Sequence, residues 1–351
     1  MRIDCDTHVL EPADLWLNYL EPKYRDRAIR IEENDGIEQL VIGERVVLQG
    51  VLAGLGGADL DKNDVYGGGL KYIDGCPPAS YDPHARAALL DEWGVDKTLL
   101  FPTICILPFP TDDQELANAY FRAYNNWMAE FHQAVPERTL PVAMVNWHDV
   151  DEAVKELQRC LKMGFKALFV PPETIDGRRL ADPHFDPLWA ICQDTGIPAC
   201  LHVVVRFEGS AIPFVHWHTT SPGPLFSFSL GAPGQLMPAI TSMVTDLLFE
   251  RFPGLKVVSV EGGCGYAPYL MDRMDAKYEA FADIVTMQRK PSEYIRENFY
   301  FVAEPREQTV GEVKRILGED RVLWGSDYPH VDAVGYGIYA ESDQVWPFTH
   351  G

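Results

Sequence analysis

The chain has 351 residues, is 46% apolar and carries a formal charge of -22. That apolar content supports a sizeable core, and α/β barrels of this length are commonly one domain. The acidic balance argues against nucleic acid or an anionic membrane as partner, because both are bound through basic surfaces. It leaves an anionic small molecule open, since a few arginines in a pocket would suffice.

The seven cysteines form no C-x-x-C pair, and several lie inside apolar runs, as buried thiols in a reducing compartment do. The start MRIDCDTH lacks a basic segment followed by an apolar one, and no stretch approaches the ~18 apolar residues of a membrane span. The expectation is a soluble, cytoplasmic protein with a small-molecule substrate, no nucleic-acid or membrane partner, and scope for a homo-oligomer.

In chain order, Ile3 to His8 reads as an opening strand. Residues 10–82 carry little helical periodicity and include a hairpin, Gln39 to Ile42 and Val46 to Leu48, around Gly43-Glu44. This segment is an expected insertion after strand 1 that caps the mouth of the fold. From about residue 85 helices and strands alternate. Pro83 to Trp93 reads as a helix and Lys97 to Pro102 as a strand. Thr111 with Gln114 makes a capping box for a helix running through Trp127. Thr139–Val145, Phe165–Val170, Ile197–Val205, Leu255–Val260, Asn298–Ala303 and Arg321–Gly325 complete eight strands. Helices near 154–164, 186–195, 236–252, 265–285 and 307–318 separate them.

Eight such units predict a single (β/α)8 TIM-like barrel over 1–351, with the 10–82 insertion after strand 1 and a lid-like loop at 206–235 after strand 5. A doubly wound open sheet is the alternative. The loop is rich in aromatic residues, Phe207, Phe214, Trp217, Phe226 and Phe228, which favours an ordered lid or subunit contact. No amphipathic helix is evident after Asp327.

The residues able to carry chemistry sit where apolar runs end. Asp6 and His8 share one face of the opening strand. Alone, a D-x-H pair is weak evidence, and His8 reads equally as a hydrogen-bonded core histidine. His202 ends a strongly apolar run; a core role is its default, and its place at a strand end shifts that. Asp327 follows Arg321 to Trp324 at the strand-to-loop transition, where an Asx turn before Pro329 is the plainer reading. Together Asp6, His8, His202 and Asp327 make a mixed nitrogen and oxygen set suited to zinc, manganese or iron. Such an ion lowers the pKa of a bound water or polarises a substrate oxygen, and Asp327 is then a candidate base.

With Asp6-Thr-His8, Gly196 to His202, Phe249 to Lys256, Tyr269 to Asp275 and Trp324-Gly-Ser-Asp-Tyr-Pro-His330, the chain resembles the amidohydrolase-related family. The resemblance is to the branch that includes aminocarboxymuconate-semialdehyde and resorcylate-type decarboxylases. It covers the opening strand and most of residues 84–330, and implies a metal-bearing (β/α)8 barrel with Asp6, His8, His202 and Asp327 as ligands. Decarboxylase relatives present a histidine at the end of strand six, where this chain has Glu261. Glu261 is a candidate proton donor or, with Glu304 on strand seven, a ligand for a second ion, giving one or two ions per chain. A structural ion pair is an equal alternative for each.

His330 is a candidate acid at the mouth, with a loop-capping role as the alternative. His216 and His218 are weak loop candidates. Arg206 and Arg306 are candidate carboxylate clamps, and Trp217 and Phe214 candidate substrate contacts. Gly54 to Gly57 and Gly67 to Gly69 lack the flanking strand and helix of a phosphate loop. Cys264, beside the predicted mouth, invites an alkylation test. The departure at Glu261 favours a metal-dependent hydrolase acting on an amide, ester, lactone or thioester. The alternatives are a non-oxidative decarboxylase of an aromatic or enol acid, and a non-catalytic binding barrel.

Overall fold

A computed structural model describes residues 1–107, 112–204 and 224–333. By compactness the chain falls into two units, Met1–Lys166 with the stretch from Gly325, and Ala167–Trp324.

The first unit opens with β1 (Ile3–His8), buried along its whole length. A parallel strand flanked on both faces has no solvent side, so its polar residues are internal by construction. The insertion that follows contains an antiparallel sheet of β2 (Arg30–Asn34), β3 (Ile37–Ile42) and β4 (Arg45–Gln49). The expected hairpin is therefore the second half of a three-stranded sheet. Asp35 and Gly36 join β2 to β3 with φ of 50° and 79°, a left-handed pair that favours glycine and suits a two-residue hairpin. Next come β5 (Lys97–Phe101) and β6 (Thr139–Ala143), parallel to β1 in the order β1-β5-β6. Aspartates start the intervening helices. Asp82 accepts from the His84 and Ala85 amides ahead of Pro83–Trp93, and Asp113 accepts from the Leu116 amide ahead of Gln114–Ala134. Each such cap is worth about 1 kcal/mol. Asp113 does the work assigned to Thr111, which lies outside the described residues.

The second unit carries β7 (Ala167–Val170), β8 (Ala199–His202), β9 (Val257–Val260), β10 (Phe299–Ala303) and β11 (Val322–Trp324), paired in parallel in that order. The eight parallel strands follow one another in the sheet in the order in which they occur in the chain. Leu236, Ile240, Met243 and Val244 are buried along the helix Pro224–Thr245, at the spacing of one helical face. This helix starts well before the expected 236 and contains Pro233 and Pro238. A further helix, Pro291–Asn298, precedes β10. The 206–235 loop is thus helical from Pro224, and its 206–223 part lies outside the described residues, as does the segment after residue 333. Among the described residues no helix is long and apolar enough to cross a membrane.

Candidate metal centre

In the first unit the chemistry gathers at the end of β1. Asp6 and His8 are fully buried, and Asp327 is 7% exposed. The segment after β11 is stitched to β1: the amides of Ser326 and Asp327 both donate to the Asp6 carbonyl, at 3.1 and 2.8 Å, and the His8 amide donates to the Tyr328 carbonyl at 2.7 Å. The His8 ring is aimed by its Nδ1, 2.6 Å from the Pro102 carbonyl oxygen. That contact leaves Nε2 facing Asp327 Oδ1 at 3.3 Å and Asp6 Oδ1 at 3.5 Å. His330 joins the group through Nδ1, 2.8 Å from Asp327 Oδ1. Its ring centroid lies 3.8 Å from that of His8.

Burial pushes the His8 imidazolium down, but the Asp327 and Asp6 carboxylates outweigh it and hold the ring up at about 10. Burial likewise raises the Asp327 carboxyl, while His330 and His8 more than compensate and keep it well below the usual carboxylate range. One strand turn earlier, burial lifts the Asp4 carboxyl to about 8 despite hydrogen bonds from Ser326 and the Asp6 amide. His330 is held below its ordinary value, first by burial. Two buried carboxylates around one imidazole therefore require a positive charge among them.

In the second unit His202 ends β8 with Nδ1 2.8 Å from the Val203 carbonyl oxygen. Its Nε2 lies 3.1 Å from Glu261 Oε2. The chain just beyond is clipped by Gln235, whose side chain accepts from the Val204 amide at 3.1 Å and donates to the Val204 carbonyl at 3.0 Å. Glu261 and Asp327 both adopt left-handed backbone, at φ 57° and 58°. Non-glycine residues in that region are uncommon and concentrate at functional sites.

This donor set fits a divalent ion. Both histidines have Nδ1 fixed on a backbone carbonyl and Nε2 turned towards carboxylate, the orientation that outer contacts impose on metal-ligating imidazoles. In metal-free protein a proton on His8 supplies the missing charge. Its stabilising effect is fully present below the unfolded value of 6.5 and is lost as pH rises through about 10. Chelated protein is therefore expected to lose roughly 5 °C or more of Tm between pH 7 and 10, measured by calorimetry against the metal-loaded form. Equal slopes for the two forms would refute this.

Asp6, His8, Asp327 and His330 come together in the first unit, and His202 and Glu261 in the second. Glu304 is exposed. Arg306 is exposed too, with φ 70°. Arg206, Phe214, Trp217, His216 and His218 lie outside the described residues. Cys264 is fully buried, and burial with the Glu307 carboxylate raises its thiol far above the ordinary value. It is expected to resist iodoacetamide in native protein; rapid labelling there, read by mass spectrometry, would contradict this.

Several contributors carried no signal in the sequence. Glu307 accepts from the backbone amides of Cys264, Gly265 and Glu304. Arg86, fully buried, donates to the carbonyls of His8 and Ala79. Glu11 accepts from three consecutive backbone amides after β5. An acid in Glu11-Pro-Ala-Asp or Arg306-Glu-Gln reads as solvated surface, and only tertiary structure shows otherwise.

The amidohydrolase family model matches residues 3–338. The chain belongs to the amidohydrolase family. A gamma-resorcylate decarboxylase from Polaromonas sp. (strain JS666 / ATCC BAA-500) is 28% identical to this amidohydrolase over 264 residues, covering 70% of this chain and 76% of the relative. Among solved structures, an amidohydrolase from Mycobacterium avium subsp. paratuberculosis K-10 superposes with a TM-score of 0.77 at 24% identity, covering 95% of this chain and 91% of that one. A dihydroxybenzoic acid decarboxylase from Polaromonas sp. JS666, with bound manganese and the inhibitor 2-nitroresorcinol, does so with a TM-score of 0.64 at 21% identity, covering 94% and 87%. The expected (β/α)8 barrel is the fold of this amidohydrolase.

The expectation of a hydrolase is corrected by these relatives, which favour the decarboxylase alternative. The error has a physical source. The two reactions share the same ligand set, and a carboxylic acid such as Glu261 can carry a proton for either.

Proposed function

We propose that this amidohydrolase is a metal-dependent, non-oxidative decarboxylase of an aromatic or enol carboxylic acid. The observation that carries the reading is the buried Asp6–His8–Asp327 cluster, in a chain whose relatives include decarboxylases. Asp6, His8, His202 and Asp327 would hold one divalent ion, with manganese the first choice because the Polaromonas structure contains it. The bound ion would supply positive charge that orients the substrate carboxylate with its neighbouring oxygen and stabilises the negative charge developing there.

The chain's own residues account for the rest. Asp327 Oδ1 and His330 Nδ1 lie 2.8 Å apart, and this pair would deliver the proton to the carbon that loses carbon dioxide. The substrate then exchanges a carboxylate for a hydrogen at one carbon, with the electron pair of the broken bond taking the proton. Glu261, 21% exposed at its side chain, is a second carrier at the mouth. Arg206, Phe214 and Trp217 remain candidate contacts for the substrate's carboxylate and apolar body.

The test is release of carbon dioxide from a panel of hydroxybenzoates and enol acids by manganese-loaded protein. Release should stop with chelator and return with manganese. Protein that binds the metal stoichiometrically yet releases nothing from any member of the panel would sink the reading.

A further inference from the structure

We infer that Glu11 and Thr103 are positioning residues of this site: the buried Glu11 carboxylate shapes the turn after β5, and the Thr103 hydroxyl of that turn fixes the His330 ring with Nδ1 towards Asp327. The kinetic part rests on the decarboxylase reading; the geometric part does not.

Glu11 lies three residues past β1 and is fully buried. A buried carboxylate costs several kcal/mol unless hydrogen bonds replace its water. Here they come from one turn: the Thr103 amide at 3.2 Å, the Ile104 amide at 2.8 Å and the Cys105 amide at 2.9 Å. Three consecutive amides converging on one anion make a backbone nest with its anion built into the chain. Both carboxylate oxygens accept from amides of this turn, so the anion's effect passes through the turn.

That turn sets two rings at once. Its Pro102 carbonyl holds His8 Nδ1 at 2.6 Å, and its Thr103 Oγ1 lies 3.1 Å from His330 Nε2. The Thr103 hydroxyl has one proton, which it donates to the Val9 carbonyl at 2.8 Å. Towards His330 the oxygen can only accept, so Nε2 must carry a hydrogen. Nδ1 is then the nitrogen facing Asp327 Oδ1, at 2.8 Å. Reversing the ring would place carbon against Thr103 and break both contacts. Thr103 therefore decides which imidazole nitrogen meets Asp327, and Glu11 decides where Thr103 stands. A threonine that only filled space would be replaced by valine without altering either ring.

The test compares Thr103→Val, which keeps the shape and loses the hydroxyl, with Thr103→Ser, which keeps the hydroxyl. The first readout is the imidazole 15N spectrum of zinc-loaded, histidine-labelled protein, with His330 assigned by its loss in His330→Gln. Wild type and Thr103→Ser should show His330 protonated at Nε2, and Thr103→Val should lose that fixed pattern. Glu11→Gln, which sets an NH2 against backbone amides, should shift it the same way if it folds; the threonine pair decides the matter if it does not. The second readout is turnover: kcat should fall about 10- to 100-fold in Thr103→Val, with KM within about twofold, and recover in Thr103→Ser. A wild-type His330 pattern in Thr103→Val, or equal impairment of the valine and serine variants, overturns the inference. If wild type releases no carbon dioxide but the spectra still separate valine from serine, the decarboxylase reading fails and the positioning role stands.

Discussion

Asp327→Asn is expected to lose stoichiometric metal and on the order of 10³-fold in kcat/KM while keeping its fold. The substitution isolates charge from backbone. Position 327 has φ 58°, and asparagine is among the few residues that accept left-handed backbone readily. The amides of Ser326 and Asp327 would still donate to the Asp6 carbonyl, so the segment should stay docked on β1. What disappears is the negative charge beside His8 Nε2 and His330 Nδ1. Elemental analysis of the purified variant with carbon dioxide release gives the answer. Full metal content with near wild-type turnover would remove Asp327 from the site.

Glu261→Gln should instead retain its metal and lose about 10²-fold in kcat, the usual size of a general acid or base contribution. Glutamine keeps the length of the side chain and its reach towards His202 but cannot carry the proton. Metal content discriminates the roles proposed for this residue. One ion per chain in both wild type and variant means that Glu261 is a proton carrier and the centre is mononuclear. A drop in stoichiometry would make it a ligand, and unchanged turnover would leave it a lip residue paired with His202.

The alternation of strands and helices was legible because buried parallel strands are continuous apolar runs. Ile3–His8, for example, matches the expected strand end to end, and in the other seven strands of the eight-stranded sheet only the borders moved by a few residues. The ligand candidates were legible for the same reason: Asp6, His8, His202 and Asp327 are polar residues at the edges of apolar runs. Helix starts were less so. Pro233 and Pro238 look like breakers, yet the helix Pro224–Thr245 runs through them because its buried face outweighs the lost backbone hydrogen bonds. Pro291–Asn298, a short helix between a longer one and a strand, carries little periodic signal of its own. Glu11, Thr103 and Arg86 were beyond reach, since their roles come from partners in other parts of the chain. The reaction itself turned on Glu261, whose residue type fits either chemistry.

The stitching of Ser326 to Asp6 spans 320 positions of sequence, and it dates when the proposed metal centre could form during synthesis. A ribosome-bound chain that has made β1 through β10 holds Asp6 and His8 but neither Asp327 nor the rest of the segment that is stitched to β1. Pairing at such separation is the slow part of forming a fold, and a metal adds its binding free energy only to a state that already has its ligands. Metal capture should therefore mark the end of folding and not assist its beginning. Nascent chains halted before Gly325 emerges would stay metal-free in a manganese-replete translation mixture, whereas chains released past His330 would acquire the ion.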